Sequence, residues 1–185
     1  LGYAGIQKKK AAEAASAKAT AEADDSNTVT WQGKTYKYNQ NLSNYLLLGV
    51  DKRTPAETSV GKADAGQADS LFLLSLNRKT KEMTLISIPR DTMTDVESFD
   101  LEGKSLGKSK DHISLSYGYG DGGAESCKLT QEAVSNLFYG LPIQGYLAMN
   151  LDGIPELAKS VGGLTVTVPN NSLEYKYPEF SEGAE

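Results

Sequence analysis

Residues 70–91 read SLFLLSLNRKTKEMTLISIPRD and contain two apolar runs of strand length. The four residues RKTK lie between the runs, which predicts two antiparallel neighbouring strands joined by a tight turn. Runs that are apolar throughout are usually buried on both faces of a sheet, and that burial requires helices above and below it. The stretch therefore favours a layered α/β architecture.

The rest of the chain supplies the other elements of this fold. A hairpin is predicted over residues 28–38, strands over 44–51, 144–150 and 164–168, and helices over 124–140 and 151–163. Asp152 is the expected N-cap of the second helix. The prediction is an α/β fold in which a mixed central sheet is sandwiched between helices, in three layers.

Composition excludes several classes of protein. The net charge of −5 disfavours a nucleic-acid-binding protein. The single cysteine, Cys127, forms no internal disulfide, and we interpret it as a core residue. A single histidine, His112, rules out a histidine-rich metal site, so any metal would be a hard cation held by carboxylates. The sequence has no apolar run of about 18 residues.

Residues 7–27 are rich in Ala, Lys, Glu and Ser and lack a stripe of large apolar side chains. We interpret residues 1–27 as a solvated, partly helical spacer and residues 28–185 as the folded domain. The spacer is expected to set distance and to carry no chemistry.

Charged residues follow two of the predicted strands. Asp51 and Arg53 leave the first strand, Asp69 stands at the entrance of the second, and Arg90 and Asp91 follow the third. Ligands of open α/β sheets collect at strand ends. Two carboxylates and phosphate oxygens are a usual Mg²⁺ environment, and the arginine fork suits phosphate. Turn residues and surface ion pairs are the alternative interpretation.

Four segments stand out within residues 44–169: in chain order they are NYLLLGVDKR, GQADSLFLLSLNRKTKEMTLISIPRDT, SLSYGYGDGG and GYLAMNLDGIPELAKSVGGLTVTVP. Together, in this order, they resemble the LytR–CpsA–Psr family of bacterial cell-wall proteins. The resemblance implies a Mg²⁺-dependent enzyme on the extracytoplasmic face of a Gram-positive membrane, held by an N-terminal anchor preceding the spacer. It would transfer a glycopolymer, such as teichoic acid or capsule, from a polyprenyl-pyrophosphate carrier to a muramic-acid hydroxyl of peptidoglycan.

The resemblance also implies roles for individual residues. Asp51 and Asp69 match the acidic pair near Mg²⁺ and are the expected catalytic carboxylates and metal ligands. Arg90 is the expected catalytic arginine on the pyrophosphate, with Asp91 orienting it. Arg53, Gln67 and His112 are further expected pyrophosphate-binding residues, although Lys110 is an alternative to His112.

Two departures from the family pattern qualify the expected activity. Gln67 stands where the family usually has an arginine, and an amide cannot neutralise phosphate charge. The family's later paired arginines and Arg-Gln helix are not in this sequence, so a C-terminal part of the domain is expected to be missing and transferase activity to be weak or absent. A polyprenyl-pyrophosphatase, or a non-catalytic wall module with Tyr175 and Tyr177 stacking on sugars, remain alternatives.

Overall fold

A computed structural model describes residues 27–53, 58–172 and 174–183. The strands, in chain order, are β1 (Thr28–Trp31), β2 (Lys34–Lys37), β3 (Leu42–Val50), β4 (Ala68–Asn77), β5 (Met83–Ile88), β6 (Met93–Phe99), β7 (Ser105–His112) and β8 (Gly145–Met149). The α-helices are α1 (Leu115–Gly118), α2 (Ala124–Leu137) and α3 (Gly153–Ser160), and a 3₁₀ turn spans Pro178–Phe180. All of residues 1–26, and with them nearly all of the predicted spacer, lie outside the described residues.

The central sheet has four strands in the order β5-β4-β3-β8. Strand β8 runs parallel to β3, whereas the β3–β4 and β4–β5 pairs are antiparallel. The predicted α/β class with a mixed sheet is confirmed, and so is the antiparallel pairing of the two apolar runs. The β4–β5 turn therefore fixes the register, which sets Leu74 opposite Leu85.

One face of this sheet forms the core. Leu46 of β3 and Leu71 and Leu73 of β4 are fully buried there, at alternate positions along their strands. Helix α2 contributes Cys127, Ala133 and Val134 to the same cluster. Each fully buried leucine stabilises the fold by roughly 1.5–3 kcal/mol, so this face supplies much of the stability of the domain.

The opposite face is also apolar but is largely open within the described residues. Met83, Leu85 and Leu147 are exposed on it. Helix α3 buries none of its residues, although Ile154 and Leu157 give it an apolar side. The close helical packing seen in the described part of the chain is therefore on one face of the sheet.

Two local predictions differ from the structure. Residues 164–168 were expected to form a strand, but they do not, because none of the described strands pairs with them; residues 164–167 are exposed and Val168 is half-buried. The β6–β7 hairpin was not predicted. Most residues of β7 are polar or exposed, so the apolar pattern that marks a strand is missing there.

Candidate functional site

The candidate residues gather where three strands meet. Val50 at the end of β3 pairs with Ala68 at the start of β4, and Leu71 of β4 pairs with Ile88 at the end of β5. This pairing brings the loops that follow β3 and β5 next to the segment that precedes β4. Asp51 and Arg90 lie in those loops, Gln67 lies in that segment, and Asp69 is the second residue of β4.

Arg90 lies at the centre of the cluster. Its Nη1 pairs with Oδ1 of Asp69, and its Nη2 donates a hydrogen bond of 2.6 Å to Oε1 of Gln67. Its Nε lies 3.6 Å from Oδ1 of Asp91. The side chain is 41% exposed, so the guanidinium is held in one orientation and is still accessible to a ligand.

The backbone around Arg90 is held as firmly as its side chain. The N–H of Thr92 donates to the carbonyl oxygen of Pro89 at 3.0 Å and closes a turn. The N–H of Ser114 donates to the carbonyl oxygen of Arg90 at 3.2 Å, which ties this turn to the segment that precedes α1. The turn that contains Pro89 thus fixes the backbone position from which the Arg90 side chain extends.

Asp51 reaches the cluster through the backbone of Gln67. The Gln67 N–H donates to Oδ1 of Asp51 at 2.8 Å, and the Asp51 N–H donates to the carbonyl oxygen of Gln67 at 3.1 Å. Gly66 makes this approach possible, because its φ is +95° and a Cβ there would lie 2.7 Å from Oδ1 of Asp51. Asp51 and Asp69 consequently flank Gln67.

His112 enters from the end of β7. Its Nδ1 lies 3.3 Å from Oδ1 of Asp91, the carboxylate that also faces Nε of Arg90. Lys110 instead pairs with Asp95 at 2.5 Å. The structure therefore connects His112, rather than Lys110, to the arginine, and does so through Asp91.

Arg53 pairs with a residue that was not among the other candidates. Its Nη1 lies 3.3 Å from Oδ1 of Asp152, and the two side chains are 78% and 52% exposed. An exposed pair of this kind contributes about 1 kcal/mol or less, which leaves Arg53 free to exchange partners. Asp152 occupies the N-cap position of α3, as predicted, but its side chain makes no capping hydrogen bond.

The residues present fit a hard divalent cation only in part. Among the described residues, no group of three or more His, Cys, Asp or Glu side chains is arranged to hold a metal ion. Asp51 and Asp69 offer carboxylate oxygens on the two sides of Gln67. Mg²⁺ commonly takes one or two carboxylates and completes its shell with water and substrate phosphates, so this donor set suits a metal that arrives with a phosphate ligand.

Two cavities adjoin the cluster, and Lys52 lines both. A cavity of about 270 Å³ is bordered by Asp51, Gly66 and Gln67. A second, mostly apolar cavity of about 320 Å³ is bordered by Val50, Tyr117, Cys127 and Met149, among others. Lys52 was not among the predicted site residues, although its position between Asp51 and Arg53 in the sequence was a signal for it.

Two polar side chains of the apolar cavity, Cys127 and Tyr117, are neutral at physiological pH. Burial, followed by the negative charge of Asp121, raises the pKa of Cys127 to about 11. Burial also raises the pKa of Tyr117 to about 12. Both side chains belong to the core cluster, so the cavity is suited to an apolar group.

The chain is similar to known proteins over most of its length. The family model described as the LytR_cpsA_psr family matches residues 3–184. A Bacillus licheniformis protein named polyisoprenyl-teichoic acid–peptidoglycan teichoic acid transferase TagU is 32% identical over 139 residues, which are 75% of this chain and 37% of that protein. A Bacillus cereus protein of the same name is 35% identical over 131 residues, 71% of this chain and 35% of its own.

The chain also resembles solved structures. The chain matches Bacillus subtilis TagV with a TM-score of 0.51 and 30% identity, over 72% of this chain and 45% of TagV. It matches protein gbs0355 of Streptococcus agalactiae with a TM-score of 0.52 and 26% identity, over 78% of this chain and 46% of that protein. The chain thus spans less than half the length of these relatives.

Proposed function

Because this chain belongs to the LytR–CpsA–Psr family, we propose that the cluster around Arg90 binds the pyrophosphate of a polyprenyl-linked glycopolymer. The observation that carries the proposal is the fixed but accessible guanidinium of Arg90, held by Gln67 and Asp69 at the strand ends. A preorganised cation at this position would stabilise charge that develops on a phosphoryl group. The names of the Bacillus relatives, which specify teichoic acid and peptidoglycan, support this class of substrate.

The proposed reaction is a phosphoryl transfer to a peptidoglycan hydroxyl. The oxygen of a muramic-acid hydroxyl attacks the phosphorus that bears the glycopolymer, and the bond from that phosphorus to the bridging oxygen breaks. The products are a phosphodiester between the two polymers and polyprenyl phosphate. Asp51 or Asp69 accepts the proton that the hydroxyl loses, since a nearby carboxylate can act as the general base.

The other residues position the substrate. Asp91 faces Nε of Arg90 and orients the guanidinium, and His112 contacts Asp91. Arg53 would exchange Asp152 for a phosphate oxygen, and the apolar cavity beside Lys52 would take the first isoprene units. Mg²⁺, held by Asp51 and Asp69, would neutralise phosphate charge in this proposal. The enzyme would act at the extracytoplasmic face of a Gram-positive membrane, within the cell wall.

Binding by this chain is the first test. The chain is titrated calorimetrically with farnesyl pyrophosphate, with and without Mg²⁺, and Arg90→Gln is compared with Arg78→Gln, which removes an arginine from the other end of the sheet. We expect binding that requires Mg²⁺ and a loss of roughly tenfold or more in affinity for Arg90→Gln only. Equal affinities of the two variants would contradict the proposal.

Turnover is the second test. A polyprenyl-pyrophosphate-linked disaccharide and a muropeptide are incubated with the protein and Mg²⁺, and the products are identified by mass spectrometry. A disaccharide joined to the muropeptide through phosphate supports the transferase. A disaccharide phosphate alone indicates a pyrophosphatase with water as acceptor, and binding without turnover indicates a non-catalytic module. In that module, Tyr175 and Tyr177 would contact the sugars, since they are 88% and 41% exposed.

A further inference from the structure

The end of the sheet opposite Arg90 combines basic and aromatic side chains. We call it the basic end and define it as residues 27–42, residues 77–82 and Tyr139. Residues 27–42 and 77–82 contain five basic residues and one acidic residue, in a chain whose net charge is −5. The basic residues are Lys34, Lys37, Arg78, Lys79 and Lys81. A local charge of this sign on an acidic protein indicates an anionic partner.

Hydrogen bonds join the parts of the basic end into one surface. The Arg78 N–H donates to the carbonyl oxygen of Asn41 at 2.8 Å, and its Nη2 donates to the carbonyl oxygen of Gln40 at 2.6 Å. The hydroxyl of Tyr38 donates to the carbonyl oxygen of Tyr139 at 2.8 Å. The β1–β2 hairpin, the β4–β5 turn and the end of α2 are therefore fixed together.

Aromatic side chains lie exposed on the same surface. Trp31, Tyr36 and Tyr139 are 43%, 49% and 47% exposed. In the β1–β2 register Trp31 faces Lys34 and Tyr36 faces Val29, so these four side chains share one side of the hairpin. The hairpin strands pair with each other and not with the main sheet. This arrangement places an indole, a phenol and an ammonium group side by side.

We propose that the basic end docks on the surface of an anionic lipid bilayer. Tryptophan and tyrosine favour the headgroup region, and lysine and arginine near the surface are attracted to anionic lipids. The exposed indole of Trp31 and the exposed phenols of Tyr36 and Tyr139 favour a bilayer over a soluble polyanion, which would engage the cations alone.

The docking surface is separate from the candidate site. Strand β3 has nine residues; it begins at the basic end and finishes at Val50, directly before Asp51. At about 3.3 Å per residue, the basic end and the candidate site lie roughly 30 Å apart. Substitutions at the basic end should therefore leave pyrophosphate binding at Arg90 unchanged, and the two proposals can fail independently.

Trp31 is the only tryptophan of the chain, so its fluorescence reports on the hairpin. The full chain is mixed with vesicles of phosphatidylglycerol and phosphatidylcholine in equal amounts, or of phosphatidylcholine alone. We expect a blue shift of the emission and quenching by brominated lipid with the anionic vesicles only, both weakened by salt. A soluble poly(glycerol phosphate) should produce no comparable shift.

Charge variants identify the residues that bind. Lys34→Gln combined with Lys79→Gln should weaken vesicle binding roughly 30-fold, because each cation near the membrane contributes severalfold to the affinity. Lys128→Gln with Lys159→Gln, and Lys8→Gln with Lys9→Gln, change the net charge equally and should stay within about twofold of the parent. Circular dichroism verifies that all three double variants are folded.

Several outcomes overturn the proposal. Absence of vesicle binding, or a shift without quenching by brominated lipid, excludes insertion of Trp31. An equal shift with poly(glycerol phosphate) assigns the surface to a soluble polyanion instead. Loss of binding in the Lys8–Lys9 variant, with binding retained in the Lys34–Lys79 variant, assigns membrane contact to another part of the chain.

Discussion

Gln67 and Arg90 are joined side chain to side chain, with Oε1 of Gln67 accepting a hydrogen bond of 2.6 Å from Nη2 of Arg90. The amide thus orients the guanidinium without cancelling its charge. Carboxylates contact two other nitrogens of the same group, Asp69 at Nη1 and Asp91 near Nε. A phosphate that binds here must compete with these acceptors, and the neutral amide is the partner that offers least competition.

Gln67→Glu should therefore weaken pyrophosphate binding. The added carboxylate would pair with Arg90 and repel the phosphate, and we expect about tenfold lower affinity for farnesyl pyrophosphate with Mg²⁺. Gln32→Glu, which makes the same change in the exposed hairpin turn, is the matched control and should bind normally. Calorimetric titration measures both, and an unchanged affinity of Gln67→Glu would show that the ligand does not approach Arg90 from this side.

Gly66→Ala should destabilise the protein more than an ordinary glycine substitution. The φ of Gly66 is +95°, and a Cβ would lie 2.7 Å from Oδ1 of Asp51 and 2.8 Å from Cγ of Lys52. We expect a loss of roughly 2–3 kcal/mol in the free energy of unfolding, from backbone strain and displacement of Asp51. Urea denaturation measures the loss.

Gly33→Ala separates the two contributions in Gly66→Ala. Gly33 has a φ of +74°, and a Cβ added there would meet no neighbouring atom within 4 Å. The substitution therefore reports the backbone strain alone, about 1 kcal/mol. Equal losses at the two glycines would mean that the contact with Asp51 costs nothing.

Cys127 should resist alkylation in the folded protein. Burial raises its pKa to about 11, so little thiolate exists at pH 8, and the side chain is 3% exposed. We expect reaction with iodoacetamide at least 100-fold slower than for a free thiol, whose pKa is about 8.5. Because it is the only cysteine, mass spectrometry gives its rate directly, and the chain unfolded in urea is the control. A fast rate in the folded state would show that the apolar cavity opens readily.

The sequence predicts the central sheet better than its surroundings. Continuous apolar runs such as those around Leu46 and Leu73 identify strands by themselves, and the short turn between β4 and β5 fixes their pairing. Residues 164–168 alternate as a strand should, but a strand also needs a hydrogen-bonding partner, which a pattern cannot supply. Strand β7 was not predicted because it lacks an apolar pattern; its pairing with β6 stabilises a largely polar segment as a strand.

The candidate site, like the fold, could be predicted only in part from the sequence. The proximity of Asp69 and Arg90 follows from strand ends that meet at one edge of the sheet, which the sequence indicates. The direction in which the Arg53 side chain points could not be predicted from the sequence, because the alternation of side chains stops once β3 ends at Val50. The contact that connects His112 to Arg90 through Asp91 depends on the β6–β7 hairpin. It could not be predicted, because the hairpin itself was not predicted.

Asp121 should make stability depend on pH in the acid range. Its Oδ1 accepts hydrogen bonds from the N–H groups of Gly123, Glu125 and Ser126, at 2.8, 3.0 and 3.2 Å, at the start of α2. Burial works to raise the pKa of Asp121, but these backbone donors outweigh it and the pKa is lowered. A carboxylate in this position satisfies N–H groups that the helix leaves unpaired and interacts favourably with the helix dipole.

The sign of the pH dependence follows from that lowered pKa. The unfolded chain binds a proton at the ordinary aspartate pKa of about 3.9, above the folded value, so the contribution to stability is complete above that pH and is lost as the pH falls through the folded pKa. Asp121→Ala should cost about 1–2 kcal/mol of unfolding free energy at pH 7 and progressively less below about pH 4. Asp121→Asn retains an acceptor oxygen without a titrating charge and should lose less, by an amount that is independent of pH above 5. Urea denaturation of the three proteins between pH 3 and pH 7 measures these differences, and a constant cost of Asp121→Ala over that range would show that the charge of Asp121 contributes nothing.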